Sequence, residues 1–365
     1  MSAVEYLTFA DCFEDISRGV GKIKQKDYLL QGDHPVIDQG QDVVAGYGNG
    51  EEGLCTNVPA IVFGDHTRCV KYVARPFFAG ADGVKILKPR NNHNTRYWFH
   101  SLRSKHIENL GYSRHYKLLK ECGFRKHTYK EQDQISARLD RILELINTEM
   151  DSVEKLDELV KSRFIEMFGD PQENPKDLPI KRIDEIADVQ TGATPLRSNP
   201  DYYGGAIPWI KTGEVASGLA GDAEETITEL ALKETNCKLF PAGTILIAMY
   251  GQGDTRGKAA ILKQEAATNQ ACAAVLLHDD CDPDFILAQL NLRYRDLRSL
   301  SLGGNQKNLS LKIIKGYHLV IPDEGRQREF MSFKRRVDKS AFEARQAIDK
   351  LQLLYDSLAQ EYFGD

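Results

Sequence analysis

Two stretches of this chain, residues 131–170 and 326–365, carry apolar side chains at matching positions 195 apart, and both close on Phe-Gly-Asp. The first stripe runs through Ile135, Leu139, Ile142, Ile146, Met150, Val153, Leu156, Val160, Phe164 and Met167 to Phe168-Gly169-Asp170. The second runs through Phe330, Val337, Ala341, Ala344, Ile348, Leu351, Tyr355, Leu358 and Tyr362 to Phe363-Gly364-Asp365. Steps of three and four residues sustained this long describe a helical seam of coiled-coil type. Helices of about forty residues reach about 60 Å, several times the usual globular length of about eleven or twelve residues. Neither can hide inside one small domain. The repeat divides the chain into two similar halves, and an internal pseudo-twofold favours an antiparallel pair. An amphipathic repeat is first of all packing, so chemistry has to be sought in what lies between the helices.

Those intervening segments read as mixed and strand-rich. Gly243 to Tyr250 and Ala271 to Leu277 are short apolar runs suited to buried strands, and Val58 to Phe63 plays the same part in the first half. Thr67-Arg68 follows it much as Thr255-Arg256 follows the second, and Gly111 to Lys120 matches Gly303 to Lys312, each ending in Leu-Lys. The offset between matches drifts from 173 near the domain start to 195 at the helices, which places an insertion of roughly twenty residues in the second half. The reading is an α+β chain. Residues 1–130 form a first mixed domain, 131–170 a long helix, 171–322 a second mixed domain and 323–365 a second long helix.

A chain of 365 residues with 28% charged and 41% hydrophobic side chains is ordinary for a globular protein. No apolar run approaches the eighteen or more residues of a membrane span, and Met1 to Ser17 lacks the pattern of a signal peptide. The expectation is a cytoplasmic protein. The seven cysteines show no metal-ligand spacing, so reduced thiols are expected. Residues 1–130 hold 19 Lys and Arg against 14 Asp and Glu, whereas 131–176 hold 6 against 12. Bulk charge does not announce a nucleic-acid binder; any such role rests on local basic clusters.

Several strings imitate enzyme motifs and fail on context. Gly48-Asn49-Gly50-Glu51-Glu52-Gly53 fits G-x-G-x-x-G by letter but sets two acids where a pyrophosphate would sit. Gly251 to Lys258 spaces its glycines wrongly for a phosphate loop and lacks the following Ser or Thr. Asn199-Pro200-Asp201-Tyr202 differs from the adenine-methyltransferase loop by an acidic third residue. The histidines show no H-E-x-x-H. No catalytic set emerges.

A family resemblance does. Gly192, Thr194, Pro195, Tyr202, Tyr203, Gly205 and Ile207-Pro208-Trp209-Ile210-Lys211-Thr212-Gly213-Glu214 resemble the start of a target-recognition domain in the specificity subunit of type I restriction-modification systems. Leu239 to Gly251, Thr255-Arg256-Gly257-Lys258-Ala259-Ala260 and Ala267-Thr268-Asn269-Gln270-Ala271-Cys272 continue the likeness, and Gly111 to Lys117 is similar to the same family's distal motif. One departure stands out: Phe124 to Lys130 lacks the proline the family usually places before the helix, while Val320-Ile321-Pro322 keeps it.

The resemblance implies two target-recognition domains separated by two paired long helices. Each domain would read one half of a bipartite asymmetric site in double-stranded DNA. The helices would fix the spacing and dock methyltransferase subunits, two of them, and restriction subunits. The chain itself would be non-catalytic and hold no cofactor; S-adenosylmethionine, ATP and Mg would sit on those partners, which would also flip the target adenine. Polar and basic residues of glycine-bounded loops suit base reading, because Arg, Lys, Asn and Gln pair with base edges. These are His66, Arg68, Tyr112, Ser113, Arg114, His115 and Lys117 in the first domain. In the second they are Lys211, Thr212, Gln252, Arg256, Lys258, Asn305, Gln306 and Lys307. Each is equally open to a scaffold role, Arg256 especially, since it belongs to a recurring loop motif. Two alternatives stand beside this reading: a related system whose partner fuses methyltransferase and nuclease, and a coiled-coil protein scaffold without DNA binding.

Overall fold

The computed structural model describes residues 5–91, 93–111, 113–170, 173–219, 223–251, 253–278, 281–301 and 308–364. Two long helices, Tyr129–Phe168 and Glu324–Phe363, each of 40 residues, stand at the predicted separation. The first opens on a reciprocal cap. Thr128 N–H and Oγ1 both donate to Glu131 Oε2, at 2.8 and 2.7 Å. This cap supplies the start that a proline would otherwise have set. Gly169, with φ +76°, closes the helix in the left-handed conformation.

The chain divides into two compact units, residues 1–153 with 342–365, and residues 154–341. In each unit the helix segments pair antiparallel. Within the first, Arg138 Nη1 donates to Tyr362 Oη at 3.0 Å, while Asp140 and Tyr355 meet the same His100 ring. Within the second, Arg163 lies over the Phe333 ring and Phe168 packs on Phe330 at 5.7 Å. The seam fills the cores: Ile135, Leu139, Ile142 and Ile146 join Tyr355, Ala359 and Phe363 in one unit. Val160, Phe164 and Phe168 join Phe330, Met331 and Val337 in the other. Met150, expected on the stripe, is 55% exposed. Gln132 and Ser136 are buried in its stead near the helix start, each held by a main-chain acceptor.

Each unit repeats one sheet. Phe13–Asp15, Val84–Pro89, Ala60–Gly64 and Val70–Val73 lie side by side in that order, every pair antiparallel. Ala187–Thr191, Cys272–Leu277, Ile245–Ala248 and Ala259–Ile261 do the same in the second unit. The central strands are apolar on both faces because both faces are covered: Ile245, Ile247, Ala273 and Val275 belong to one core, and Leu246, Ala248, Cys272 and Ala274 to another.

A second sheet also recurs, with a difference at its edge. Phe78–Gly80, His34–Ile37 and Gly46–Gly48 correspond to Ala266–Thr268, Tyr203–Ile210 and Thr226–Ile227. The fourth strand is Lys22–Ile23 in the first unit, parallel to its neighbour, and Leu239–Phe240 in the second, antiparallel. The same edge is filled from different points of the chain.

The ladder registers refine the expected insertion. Equivalent residues are 174 apart at Asp15 and Val189, 184 at Ile61 and Ile245, 188 at Leu87 and Val275, and 195 at Phe124 and Leu319. Three insertions therefore replace the single one expected. They lie before the second core strand, in the turn after it, and beyond the helix Pro283–Leu292. The turn shifts the Thr-Arg match as well. Arg68 N–H bonds Gly64 O while Gly257 N–H bonds Ala248 O, so Arg68 (φ +64°) occupies the left-handed position that Gly257 (φ +91°) holds. In the run Gly48–Gly53 it is Gly53 that serves close backbone approach: Gly21 N–H donates to Gly53 O at 2.7 Å, and a Cβ on Gly53 would stand 2.6 Å from Gly21 Cα.

One buried polar chain ties the first domain to both long helices. His100, fully enclosed on the helix Thr95–Arg103, places Nε2 2.9 Å from Asp140 Oδ1 and Nδ1 2.8 Å from Tyr355 Oη. Burial pulls the imidazole below its ordinary pKa despite Asp140 and pushes the Tyr355 phenol up to about 12. A neutral ring then donates from Nε2 to the carboxylate and accepts the phenol proton at Nδ1. No helix among the described residues is long and apolar enough to cross a membrane.

Candidate nucleic-acid interface

In the first unit three loops are stitched at the end of the strand Ala60–Gly64. Asp65, 4% exposed, accepts the Tyr116 N–H on its carboxylate at 2.7 Å and the His115 N–H on its carbonyl at 2.8 Å. His66 sets Nδ1 3.1 Å from Ser113 O and donates its N–H to Gln39 Oε1 at 3.1 Å, and Thr67 Oγ1 donates to Gln39 O. Arg68 Nη1 donates to Ile107 O at 2.9 Å. Residues far apart in sequence thus converge, and His66, Arg68, Ser113 and His115 share one end of the unit.

Their orientations differ. His115 is fully buried: Nε2 accepts the Leu110 N–H at 3.2 Å, leaving Nδ1–H to donate to Asp65 O at 3.0 Å. Both ring nitrogens hold the loop, so burial makes His115 part of the scaffold, against the expectation that it meets a base edge. Arg68 is half-buried and bound to main chain. Ser113, Arg114 and Lys117 are exposed beside them. Tyr112 lies outside the described residues.

The second unit makes the same stitch with other residues. Leu309 N–H donates to Met249 O at 3.0 Å, as His115 N–H does to Asp65 O. The inserted turn is carried by the added helix Tyr294–Ser299: Tyr294 Oη donates to Asp254 Oδ1 at 3.2 Å and Arg298 Nη1 to Arg256 O at 3.3 Å. Lys258 lies over the Tyr294 ring, 4.2 Å from its centroid, a placement that fixes the ammonium while leaving it half-exposed. The Arg256 Nε is itself buried. Gln252, Asn305, Gln306 and Lys307 lie outside the described residues.

Lys211 belongs to a separate network, at the end of the strand Tyr203–Ile210, and Thr212 opens the helix Thr212–Ala216 that follows. Lys211 Nζ stands 2.7 Å from Glu224 Oε2 and 3.0 Å from Glu225 Oε1. Glu225 also pairs with Arg197, whose guanidinium lies 4.6 Å from the Tyr203 centroid and 5.0 Å from that of Trp209. Arg197 and then Lys211 hold the Glu225 carboxyl down at about 2. Beneath them Glu214, 9% exposed, accepts the Lys211 N–H at 2.8 Å and the Glu224 N–H at 3.0 Å. Sequence reasoning missed Arg197, Glu224 and Glu225. The spacing of Arg197, Tyr203 and Trp209 carries no local period, and only the strand pairing brings them together.

Residues 175–353 match the family model described as the type I restriction modification DNA specificity domain. The specificity subunit of the type I restriction enzyme EcoR124I/EcoR124II of Escherichia coli is 23% identical over 338 residues, 87% of this chain and 82% of that protein. That of the MjaIX enzyme of Methanocaldococcus jannaschii is 29% identical over 160 residues, 42% of this chain and 36% of its own. Among solved structures, the S subunit of a type I system from M. genitalium covers 100% of this chain at TM-score 0.54 and 16% identity. A chain from a structure of complex assembly and conformational transition in a type I system covers 99% at TM-score 0.59 and 12% identity, a likeness of fold. Residues 175–353 thus match a DNA specificity domain, and the chain is similar along most of its length to a specificity subunit of a type I restriction enzyme.

Proposed function

We propose that each unit reads one half of a bipartite, asymmetric DNA target through the loops gathered at the end of its central strand. On this reading the paired helices set the distance between the halves and dock methyltransferase subunits, two of them, and restriction subunits, all in the cytoplasm. The observation that carries it is the repeated stitch, His115 N–H to Asp65 O and Leu309 N–H to Met249 O. The same main-chain bond presents different side chains in the two units, as a common scaffold with unlike half-sites requires. Ser113, Arg114, Lys117 and Lys258 are the residues assigned to the DNA face, with His66, Lys211 and Thr212 at its margin; Arg68 and His115 position loops, and Arg256 belongs to the recurring loop motif. S-adenosylmethionine, ATP and Mg belong to the partner subunits. A protein scaffold without DNA binding is not favoured, because the matched family is one of DNA specificity domains.

Mapping methylated adenines with and without this gene tests the proposal, and a split motif that vanishes with the gene is expected. Arg114→Ala should weaken target binding and lower the salt slope by about one. Unchanged affinity at matched salt removes Arg114 from the interface.

A further inference from the structure

We propose that Glu224 and Glu225 act as a built-in phosphate mimic: they hold Lys211 and Arg197 until DNA displaces them, and so set how strongly the second unit rejects non-target DNA. The inference rests on the reading above, in that the end of the strand Tyr203–Ile210 must face the duplex.

The geometry is that of an anion site already filled from within. Two cations, Lys211 and Arg197, converge on one carboxylate, Glu225, and a second carboxylate, Glu224, takes another of the ammonium protons at 2.7 Å. The guanidinium is fixed in plane by Tyr203 and Trp209, which directs its N–H edge toward the anion and lowers the entropy lost on binding one. The carrying segments are locked separately, because Glu214 clamps the main chain at both Lys211 and Glu224. Side chains can therefore exchange partners while the backbone stays.

Exposure decides that exchange is easy. The Lys211, Glu224, Glu225 and Arg197 side chains are 28, 66, 30 and 55% exposed, and ion pairs open to solvent in this way contribute little. A phosphate oxygen can replace Glu224 at little cost. The freed carboxylates then face the DNA and repel it, so binding is favourable only where base contacts add to the phosphate contacts. A non-target duplex lacks that addition. Carboxylates released on binding also take up cations, which offsets the counterions lost from DNA and flattens the salt dependence. The corresponding position of the first unit has the opposite sign: Asp38 there faces Lys71, which is buried and also donates to Asp42 O. The device belongs to the second unit.

The test uses the full chain assembled with its methyltransferase subunits, and labelled duplexes with and without the methylated motif, titrated over a range of salt. Glu224→Gln/Glu225→Gln should bind non-target DNA about tenfold tighter and steepen the plot of log affinity against log salt by about one to two. The target duplex should gain less, so discrimination shrinks. Glu224→Gln alone, a change at a mostly exposed carboxylate, should move both quantities in the same direction by about half. Adding Lys211→Gln should return the slope toward wild type. Unchanged non-target affinity and slope in a variant of wild-type melting temperature overturns the proposal, and so does a gain that survives Lys211→Gln. Lys211→Gln alone with unaltered target binding places the DNA elsewhere on this unit and ends the gate with it. A wild-type complex that fails to distinguish the two duplexes refutes the recognition reading instead.

Discussion

His100 shows how much one enclosed side chain decides. Its ring touches Asp140 and Tyr355, with Arg96 and Arg103 nearby, and burial outweighs the carboxylate in lowering its pKa. His127 is lowered for the same first cause. In the unfolded chain each accepts a proton near pH 6.5; in the folded chain each does so only at lower pH. Their contribution to stability is therefore present above about 6.5 and lost as pH falls below it. Denaturant unfolding of the full chain should show a falling midpoint from pH 7.5 to 5.5. The part carried by His100 should disappear in His100→Gln. A midpoint insensitive to pH in that window would contradict the burial argument.

At the scale of elements, the helix Thr95–Arg103 depends on Asn94 for both its start and its anchorage. Asn94 Oδ1 caps the Tyr97 N–H at 2.9 Å, while its Nδ2 donates to Asp133 Oδ1 at 2.8 Å and Ser136 Oγ at 2.9 Å on the first long helix. Asn94→Ala should lower stability by about 1–3 kcal/mol, a lost cap plus lost inter-element bonds. Asn94→Asp keeps the cap but sets a carboxylate against Asp133, so its melting temperature should fall between those of wild type and Asn94→Ala. Equal melting of all three chains would show that the anchorage contributes nothing. The cap was hard to see in advance. Asn94 precedes a helix of only 9 residues, and its second role needs residues about forty positions on.

For the whole molecule, the long helices keep apolar side chains in solvent that their own pairing does not cover. Leu353 is 71% exposed and Leu354 47% on the second helix, Leu159 and Ile165 each 46% on the first. On the proposed function, these side chains would meet the methyltransferase subunits. Leu353→Glu/Leu354→Glu should leave the melting temperature within about 1–2 °C, since such surface changes stay within about 0.5 kcal/mol, yet abolish co-purification with those subunits. Intact co-purification would move the docking surface elsewhere.

The sequence by itself determined whatever is written in local pattern: the twin helices in their three-and-four spacing, the core strands in their short apolar runs, and the duplication in short matched strings whose offset drifts from 173 to 195. Such signals involve neighbours within a turn or a strand, so they survive without knowledge of what packs where. Tertiary structure alone decided which polar residues point outward. His115 and Arg114 are adjacent in sequence, but one is sealed by Asp65, fifty residues earlier, and the other stands in solvent. Lys211 looked like a free base reader until the strand pairing set Glu224 and Glu225 against it. The partner of a charged group depends on which distant loops meet, and burial of that group is a property of the meeting, not of the residue.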